Sequence, residues 1–136
     1  MKKESFIIFI LLAILGSFSG FGQQSFNNCS ATFLNNKMLV NEYSPAGKCK
    51  VSITEKGDLT VNTVELSSTE SKAINPIMFQ IAIRNKNSGT LTMFSKDKIQ
   101  KIEIQKILEK CKKGDYIIVL TVNDKFALPH NEILVF

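Results

Sequence analysis

The chain has 136 residues, which is enough for one ordinary domain and too few for two of typical size. Its 17 lysine and arginine residues exceed its 12 acidic residues, and the formal net charge of +5 suits solubility and weak attraction to acidic surfaces. The positive charge is spread along the chain without a basic stripe that interleaves with aromatic residues, so the composition argues against nucleic acid as a partner.

Residues 1–22 have the layout of a secretory signal peptide. Lys2 and Lys3 form a positive start, Phe6 to Leu15 form an apolar run of ten residues, and the small, flexible sequence "GSFSGFG" follows. Such a run is too short for a stable membrane-spanning helix, although an uncleaved N-terminal anchor is the alternative. The sequence therefore predicts an exported protein, periplasmic or extracellular, that is cleaved before Gln23 or Gln24 and has no membrane span after cleavage.

Two regions of different character follow the signal peptide. Residues 23–48 are rich in Asn, Ser and Gln and have no clear hydrophobic period, which predicts a loose N-terminal segment with one short strand around Thr32 to Leu34. Residues 49–136 show regular periods and are predicted to form a β-sandwich domain.

Alternating apolar residues predict two β-hairpins in this domain. The first joins a strand from Cys49 to Ile53 to a strand from Leu59 to Leu66 through a Lys-Gly-Asp turn. The second joins Met78–Ile83 to Thr90–Phe94 through the turn "NKNSG".

A helical period replaces the strand period between Ser95 and Gly114. Isoleucine and leucine recur there every three or four residues, and either Ser95 or Asp97 is expected to cap the start. The sequence "KKGD" is interpreted as architecture and not as a catalytic pair. Lys112 and Lys113 would lie in the last helical turn, where the helix dipole favours cations, and Gly114 would take the left-handed position just past it.

The last two predicted strands run from Tyr116 to Val122 and from Glu132 to Phe136. The fold class that follows is mainly β: two antiparallel sheets packed face to face, with one α-helix before the penultimate strand. The predicted core consists of Val51, Ile53, Leu59, Val61, Phe79, Ile81, Ile83, Leu91, Ile102, Leu108, Ile117, Val119, Ile133 and Val135.

The order helix, "KKGD", strand and "ALPHNEILV" resembles the C-terminal domain of GldM-type proteins, which belong to the gliding-motility and type IX secretion machinery of Bacteroidetes-like bacteria. The similar region runs from Cys49 to Phe136. The resemblance implies an immunoglobulin-like β-sandwich that is exposed to the periplasm and acts through protein contacts. The chain is too short to be the motor component of that machinery, so the resemblance implies a free-standing relative of the domain.

Three cysteines, Cys29, Cys49 and Cys111, remain after signal cleavage. Oxidising conditions outside the cytoplasm favour one disulfide among them and leave one thiol over. Both Cys29 with Cys49 and Cys49 with Cys111 are open as pairs, and the spacings fit no zinc pattern.

His130 is the single histidine and the natural candidate for acid–base chemistry. Glu132 could orient it, and Cys111 or Cys49 could serve as the nucleophile of a small thiol enzyme or hydrolase. We favour a turn histidine beside Pro129, and we expect no catalytic, cofactor-binding or metal-binding residues and no enzymatic activity.

The leading functional hypothesis is an exported, non-enzymatic envelope protein that acts as a protein-interaction module, with an envelope protein as partner or a homodimer formed through strand edges. The alternative is a secreted ligand-binding or adhesin module for sugar or calcium. Tyr43 and Tyr116 are the available tyrosines for stacking on sugar, and Tyr116 is expected to face the core. The acidic residues in or beside predicted turns and loops are Asp58, Glu65, Glu70, Asp97, Asp115 and Asp124.

Overall fold

The computed structural model describes residues 29–66, 71–122 and 125–136. The predicted signal peptide, its cleavage site, Glu70 and Asp124 lie outside the described residues. The elements are β1 (Ser30–Leu34), β2 (Lys37–Met38), β3 (Cys49–Val51), β4 (Asp58–Leu66), β5 (Ser71–Pro76), β6 (Phe79–Arg84), β7 (Leu91–Met93), β8 (Lys101–Glu103), α1 (Ile104–Leu108), β9 (Tyr116–Thr121) and β10 (Glu132–Val135).

Two five-stranded sheets pack against each other. Sheet one has the order β2-β1-β4-β5, and β8 pairs with the first part of β4 on the side opposite β1. Sheet two has the order β3-β10-β9-β6-β7, in which β3 and β10 are parallel and the other pairs are antiparallel. This is an immunoglobulin-like pairing order, with β4 between β1 and β8 in one sheet and β9 between β10 and β6 in the other.

The predicted fold class is confirmed. The described residues form a mainly β sandwich with a single short helix, and that helix precedes the penultimate strand β9. The second predicted hairpin is present as β6 and β7, and the last two predicted strands are present as β9 and β10.

The first predicted hairpin is wrong. Residues Cys49–Val51 do form a strand, but it pairs in parallel with β10, where Cys49 lies opposite Ile133. The other half of the expected hairpin is β4, which belongs to sheet one. Alternation identifies which residues face a core, but it does not identify the partner strand. The alternating pattern therefore predicts one hairpin from two strands that lie in different sheets.

The helix is much shorter than its sequence period predicts. It covers Ile104–Leu108, its N-cap residue is Glu103, and the expected caps Ser95 and Asp97 lie in the irregular segment between β7 and β8. Pairing with β4 places Lys101–Glu103 in a strand, because Ile102 lies opposite Leu59 and completes the inner face of sheet one.

The residues assigned to a loose N-terminal segment enter the sandwich from Cys29 onward. Strand β1 contains the strand expected at Thr32 to Leu34, pairs with β4 over its whole length and buries Ala31 and Phe33. These two side chains form a small second cluster with Val64 on the face of sheet one that points away from the main core.

The main core lies between the two sheets and is closed at one end by α1. Its completely buried side chains are Leu59, Val61, Phe79, Ile81, Ile104, Ile107, Ile117, Ile133 and Val135. Burying side chains of this size contributes about 1.5–3 kcal/mol each relative to exposure, so this cluster supplies the main driving force for folding.

Candidate functional site: the open edge of β7

Strand β7 is the last strand of sheet two, and β6 is its partner among the described residues. The backbone N–H of Phe94 donates to Ile81 O at 2.8 Å, and that of Asn85 donates to Thr90 O at 3.0 Å. Hydrogen-bonding direction alternates along an antiparallel strand, so the N–H and C=O groups of Leu91 and Met93 point away from β6. They form an open edge that another strand can join.

The other sheet edges carry residues that discourage strand addition, and β7 does not. Lysine or proline occurs in each of the other edge strands: Lys37 in β2, Lys50 in β3, Lys72 and Pro76 in β5, and Lys101 in β8. Charged side chains and proline on an edge strand are common protections against pairing with another chain. The sequence Leu-Thr-Met of β7 has neither, and its short length is its main protection.

Both apolar side chains of β7 are exposed on the outer face of sheet two. Leu91 lies opposite Arg84 and is 53% exposed, and Met93 lies opposite Ala82 and is 43% exposed. The prediction that Leu91 belongs to the core is therefore wrong: Thr92 is the residue of β7 that shares the inner face with Ile83.

A charged residue organises the outer face next to Leu91. The Arg84 guanidinium lies 4.8 Å from the centre of the Tyr116 ring, and its Nη1 donates to Glu132 Oε1 at 2.8 Å. This hydrogen bond lowers the pKa of Glu132 and raises that of Arg84. Tyr116 thus lies on the outer face, and the prediction that it faces the core is wrong because β9 alternates with Ile117 directed inward.

An open groove of about 360 Å³ lies on the inner side of β7. The β6–β7 hairpin lines it with Ile83, Asn85, Thr90, Thr92, Met93 and Phe94, and Lys110 and Asp115 complete the lining. Lys110 is exposed, whereas Asp115 is only 5% exposed. A strand added to β7 would therefore place every second side chain at this groove.

Asp115 is the residue of "KKGD" that holds this region together. Its Oδ1 accepts from the backbone N–H of Lys86 at 3.0 Å, and its Oδ2 accepts from that of Lys112 at 2.8 Å. Gly114 has φ of +98° and its N–H donates to Val135 O. The helix ends at Leu108, so the prediction that Lys112 and Lys113 lie in its last turn is wrong. The stretch is a turn that joins the β6–β7 hairpin to the start of β9 through Asp115.

His130 is engaged in a loop contact. Its Nε2 lies 2.7 Å from Ser44 O, and its ring contacts the Tyr43 ring edge to face at 5.2 Å between centres. Its Nδ1 is buried without a hydrogen-bond partner among the described residues. In the disfavoured catalytic alternative Glu132 would orient this imidazole, but its carboxylate accepts a hydrogen bond from Arg84. The Cys49 sulfur lies 3.7 Å from the backbone carbonyl oxygen of His130.

The three cysteines are free thiols in the structure. Burial raises the pKa of Cys49 to about 11, and burial together with the negative charge of Asp115 raises that of Cys111 to about 11. Cys29 is half-buried and contacts Tyr43, whose pKa rises to about 12 because of burial and this neighbouring sulfur. The two thiols proposed as nucleophiles are thus held in the protonated, weakly reactive form at neutral pH.

In the part of the chain that the structure describes, no group of three or more His, Cys, Asp or Glu side chains is arranged to hold a metal ion. The Asp115 carboxylate is occupied by two backbone donors, and the Tyr43 hydroxyl donates to Ser30 O at 3.0 Å. Among the same residues, none of the helices has the length and hydrophobicity required to cross a bilayer.

Comparisons with protein-family models, with curated proteins and with solved structures found no match to this chain.

Proposed function

We propose that this protein is exported to the cell envelope and acts without catalysis, as a module that binds another protein along the open edge of β7. The edge carries the proposal: the exposed side chains of Leu91 and Met93 stand beside backbone donors and acceptors that point away from the sheet. Strand addition to such an edge obtains affinity from main-chain hydrogen bonds and specificity from alternate side chains.

The contacts of the tyrosines favour protein binding over the alternative of a sugar or calcium module. Tyr43 donates its hydroxyl hydrogen to Ser30 O and packs against His130, and the Arg84 guanidinium covers the Tyr116 ring. A sugar platform needs aromatic faces that are free to stack, and both tyrosines are engaged within the fold.

The state of the thiols favours a non-enzymatic role. A cysteine nucleophile reacts as the thiolate, and burial raises the pKa of both Cys49 and Cys111 to about 11. Neither thiol has a lowered pKa of the kind that an adjacent base or cation produces in thiol enzymes.

Export is the part of the proposal that depends on residues 1–22 and on the resemblance to the GldM-type domain. Cell fractionation and N-terminal sequencing of the mature protein test it. We expect an envelope or extracellular protein that begins at Gln23 or Gln24. A cytoplasmic protein that retains Met1 would contradict export without bearing on the β7 edge.

Site-specific photocrosslinking in the native cell envelope tests the interaction edge. A photoreactive amino acid replaces Leu91 in β7, and the matched control carries it at Ile74 in β5, because the two side chains are 53% and 54% exposed. We expect a discrete protein adduct from position 91 and none from position 74.

The substitution Met93→Pro, combined with the crosslinker at position 91, tests whether the backbone edge carries the interaction. The Met93 N–H points away from β6, so proline removes an edge donor and leaves the bonds to β6 in place. We expect the adduct to disappear while the melting temperature stays close to that of the parent, and Met93→Thr, which keeps the N–H, should retain more of it. An adduct of equal yield from positions 91 and 74, or one that survives Met93→Pro, refutes the proposal.

A further inference from the structure

The positive charge of the chain is less evenly distributed than its composition suggests. Nine of the 17 cations lie between Arg84 and Lys113, the stretch that contains β7 and α1, against three of the 12 acidic residues. The acidic residue nearest the groove, Asp115, directs both carboxylate oxygens at backbone N–H groups. Asp115 is also only 5% exposed, so the charge that the groove presents to an incoming segment is the exposed ammonium of Lys110.

A strand added to β7 would direct its side chains to two different environments. One set would lie on the outer face beside Leu91 and Met93, whose exposed side chains are apolar. The other set would lie on the inner side with Thr92, over the groove that Lys110 borders. The two faces thus select for different residue types at alternate positions of the bound segment.

We propose that the β7 edge accepts an extended partner segment in which apolar residues alternate with an acidic residue, the apolar side chains packing beside Leu91 and Met93 and the carboxylate entering the groove against Lys110. This inference rests on the proposed function and specifies the chemistry of its partner. Opposite charges that meet across an interface favour binding, and like charges oppose it.

Charge also disfavours a second copy of this chain as the occupant. Pairing of β7 with another β7 would bring two cationic stretches together, each containing Lys110 and the lysines around it. Residues 90–94, "TLTMF", contain no carboxylate to offer in return. Such like-charge contact is a repulsive element against self-pairing.

Binding of two synthetic peptides to the mature protein tests the inference. The probes are fluorescein-labelled Val-Thr-Val-Asp-Val-Thr-Val and the same peptide with lysine in place of aspartate, measured by fluorescence anisotropy at low salt. We expect the aspartate peptide to bind about fivefold more tightly, because the exposed Lys110 ammonium attracts a nearby carboxylate and repels a second ammonium.

Charge reversal in the protein supplies the matched control. Lys110→Glu should reverse the preference between the two peptides, because the groove then presents a carboxylate. Lys106→Glu changes an exposed lysine of α1 that does not line the groove and should preserve the preference. Melting temperatures of both variants report whether the fold is retained.

The outcomes separate this inference from the function on which it rests. Equal binding of the two peptides, or no binding of either, overturns the acidic-segment inference even where the position-91 adduct and its loss in Met93→Pro support the edge. An adduct that survives Met93→Pro overturns the edge function itself. Self-association in sedimentation velocity that Met93→Pro abolishes would identify a second copy as the occupant and would also overturn the inference.

Discussion

Replacement of Asp115 by alanine tests whether one carboxylate holds the β6–β7 hairpin to the rest of the sandwich. The side chain is 5% exposed, and its two oxygens serve two different donors: the N–H of Lys86 in the hairpin turn and the N–H of Lys112 before β9. Alanine leaves both donors without their acceptor. Asparagine has one carbonyl oxygen, so it can serve one donor and turns an NH₂ group towards the other.

The expected cost follows from these two bonds. A hydrogen bond to a charged acceptor contributes about 1.5–3 kcal/mol, so two give roughly 3–6 kcal/mol. The side chains of Lys86 and Lys112 are exposed, which lets water reach the freed N–H groups and moves the expectation to about 3 kcal/mol for Asp115→Ala. Asp115→Asn should cost roughly half of that.

Urea unfolding followed by far-ultraviolet circular dichroism measures both variants. At an m-value of about 1.5 kcal/mol per molar, Asp115→Ala should lower the urea midpoint by roughly 2 M. Asp97→Ala removes an exposed carboxylate from the loop after β7 and should change stability by about 0.5 kcal/mol or less. If Asp115→Ala unfolds at the same midpoint as the parent, or if asparagine is as damaging as alanine, the two-donor account is refuted.

Three further predictions concern the outer face, the thiols and a turn. The hydrogen bond from Arg84 lowers the pKa of Glu132 from its ordinary value, so the stability that this bond contributes is present above the unfolded-state pKa and is lost as the pH falls through the folded-state pKa. The melting-temperature difference between the parent and Glu132→Gln should therefore be seen at neutral pH and vanish in strong acid, and a difference that persists there would contradict this. Burial of Cys49 and Cys111 predicts that maleimide at neutral pH labels Cys29 first, and equal labelling of all three by mass spectrometry would contradict it. Gly57 has φ of +128°, and an added methyl group would collide with the side chain of Asn35, so Gly57→Ala should lower the free energy of unfolding by about 2 kcal/mol in urea. Gly89→Ala, in the β6–β7 turn, should destabilise the protein less, because nothing lies within 4 Å of the added methyl group. Equal losses of stability in the two variants would exclude the collision as the cause.

Strands whose pairing is local could be predicted from the sequence. The hairpin of β6 and β7 was predicted because a Gly-ending turn of polar residues separates two alternating runs, and its partners are neighbours in the chain. The strand Tyr116–Thr121 was predicted because it is a continuous apolar run after a turn, and it occupies the middle of sheet two.

Elements that depend on distant partners were missed. The run around Ile102 and Ile104 fits a helical period and an alternating period equally well, and pairing with β4 places the first of them in a strand. Strand β5 is exposed from Lys72 to Pro76 and has Ile74 as its single large apolar residue, so no alternation marks it as a strand, and β4 supplies the hydrogen bonds that make it one.

The candidate site was beyond sequence reasoning for the same physical reason. Alternation places Leu91 and Thr92 on opposite faces, but which of the two faces the other sheet depends on the pairing with β6, and pairing with Arg84 puts Leu91 on the outer face. The signal that was available is compositional: "LTM" lacks the lysine or proline present in the other edge strands.

The sequence by itself determined the mainly β class, the helix before the penultimate strand and the local turns, because these follow from residue periods and turn chemistry over short distances. Only the tertiary structure decided which strand is last in its sheet, on which face of sheet two Leu91 lies and which donors Asp115 serves. Those properties arise from contacts between residues far apart in the chain, whose pairing a local period cannot specify.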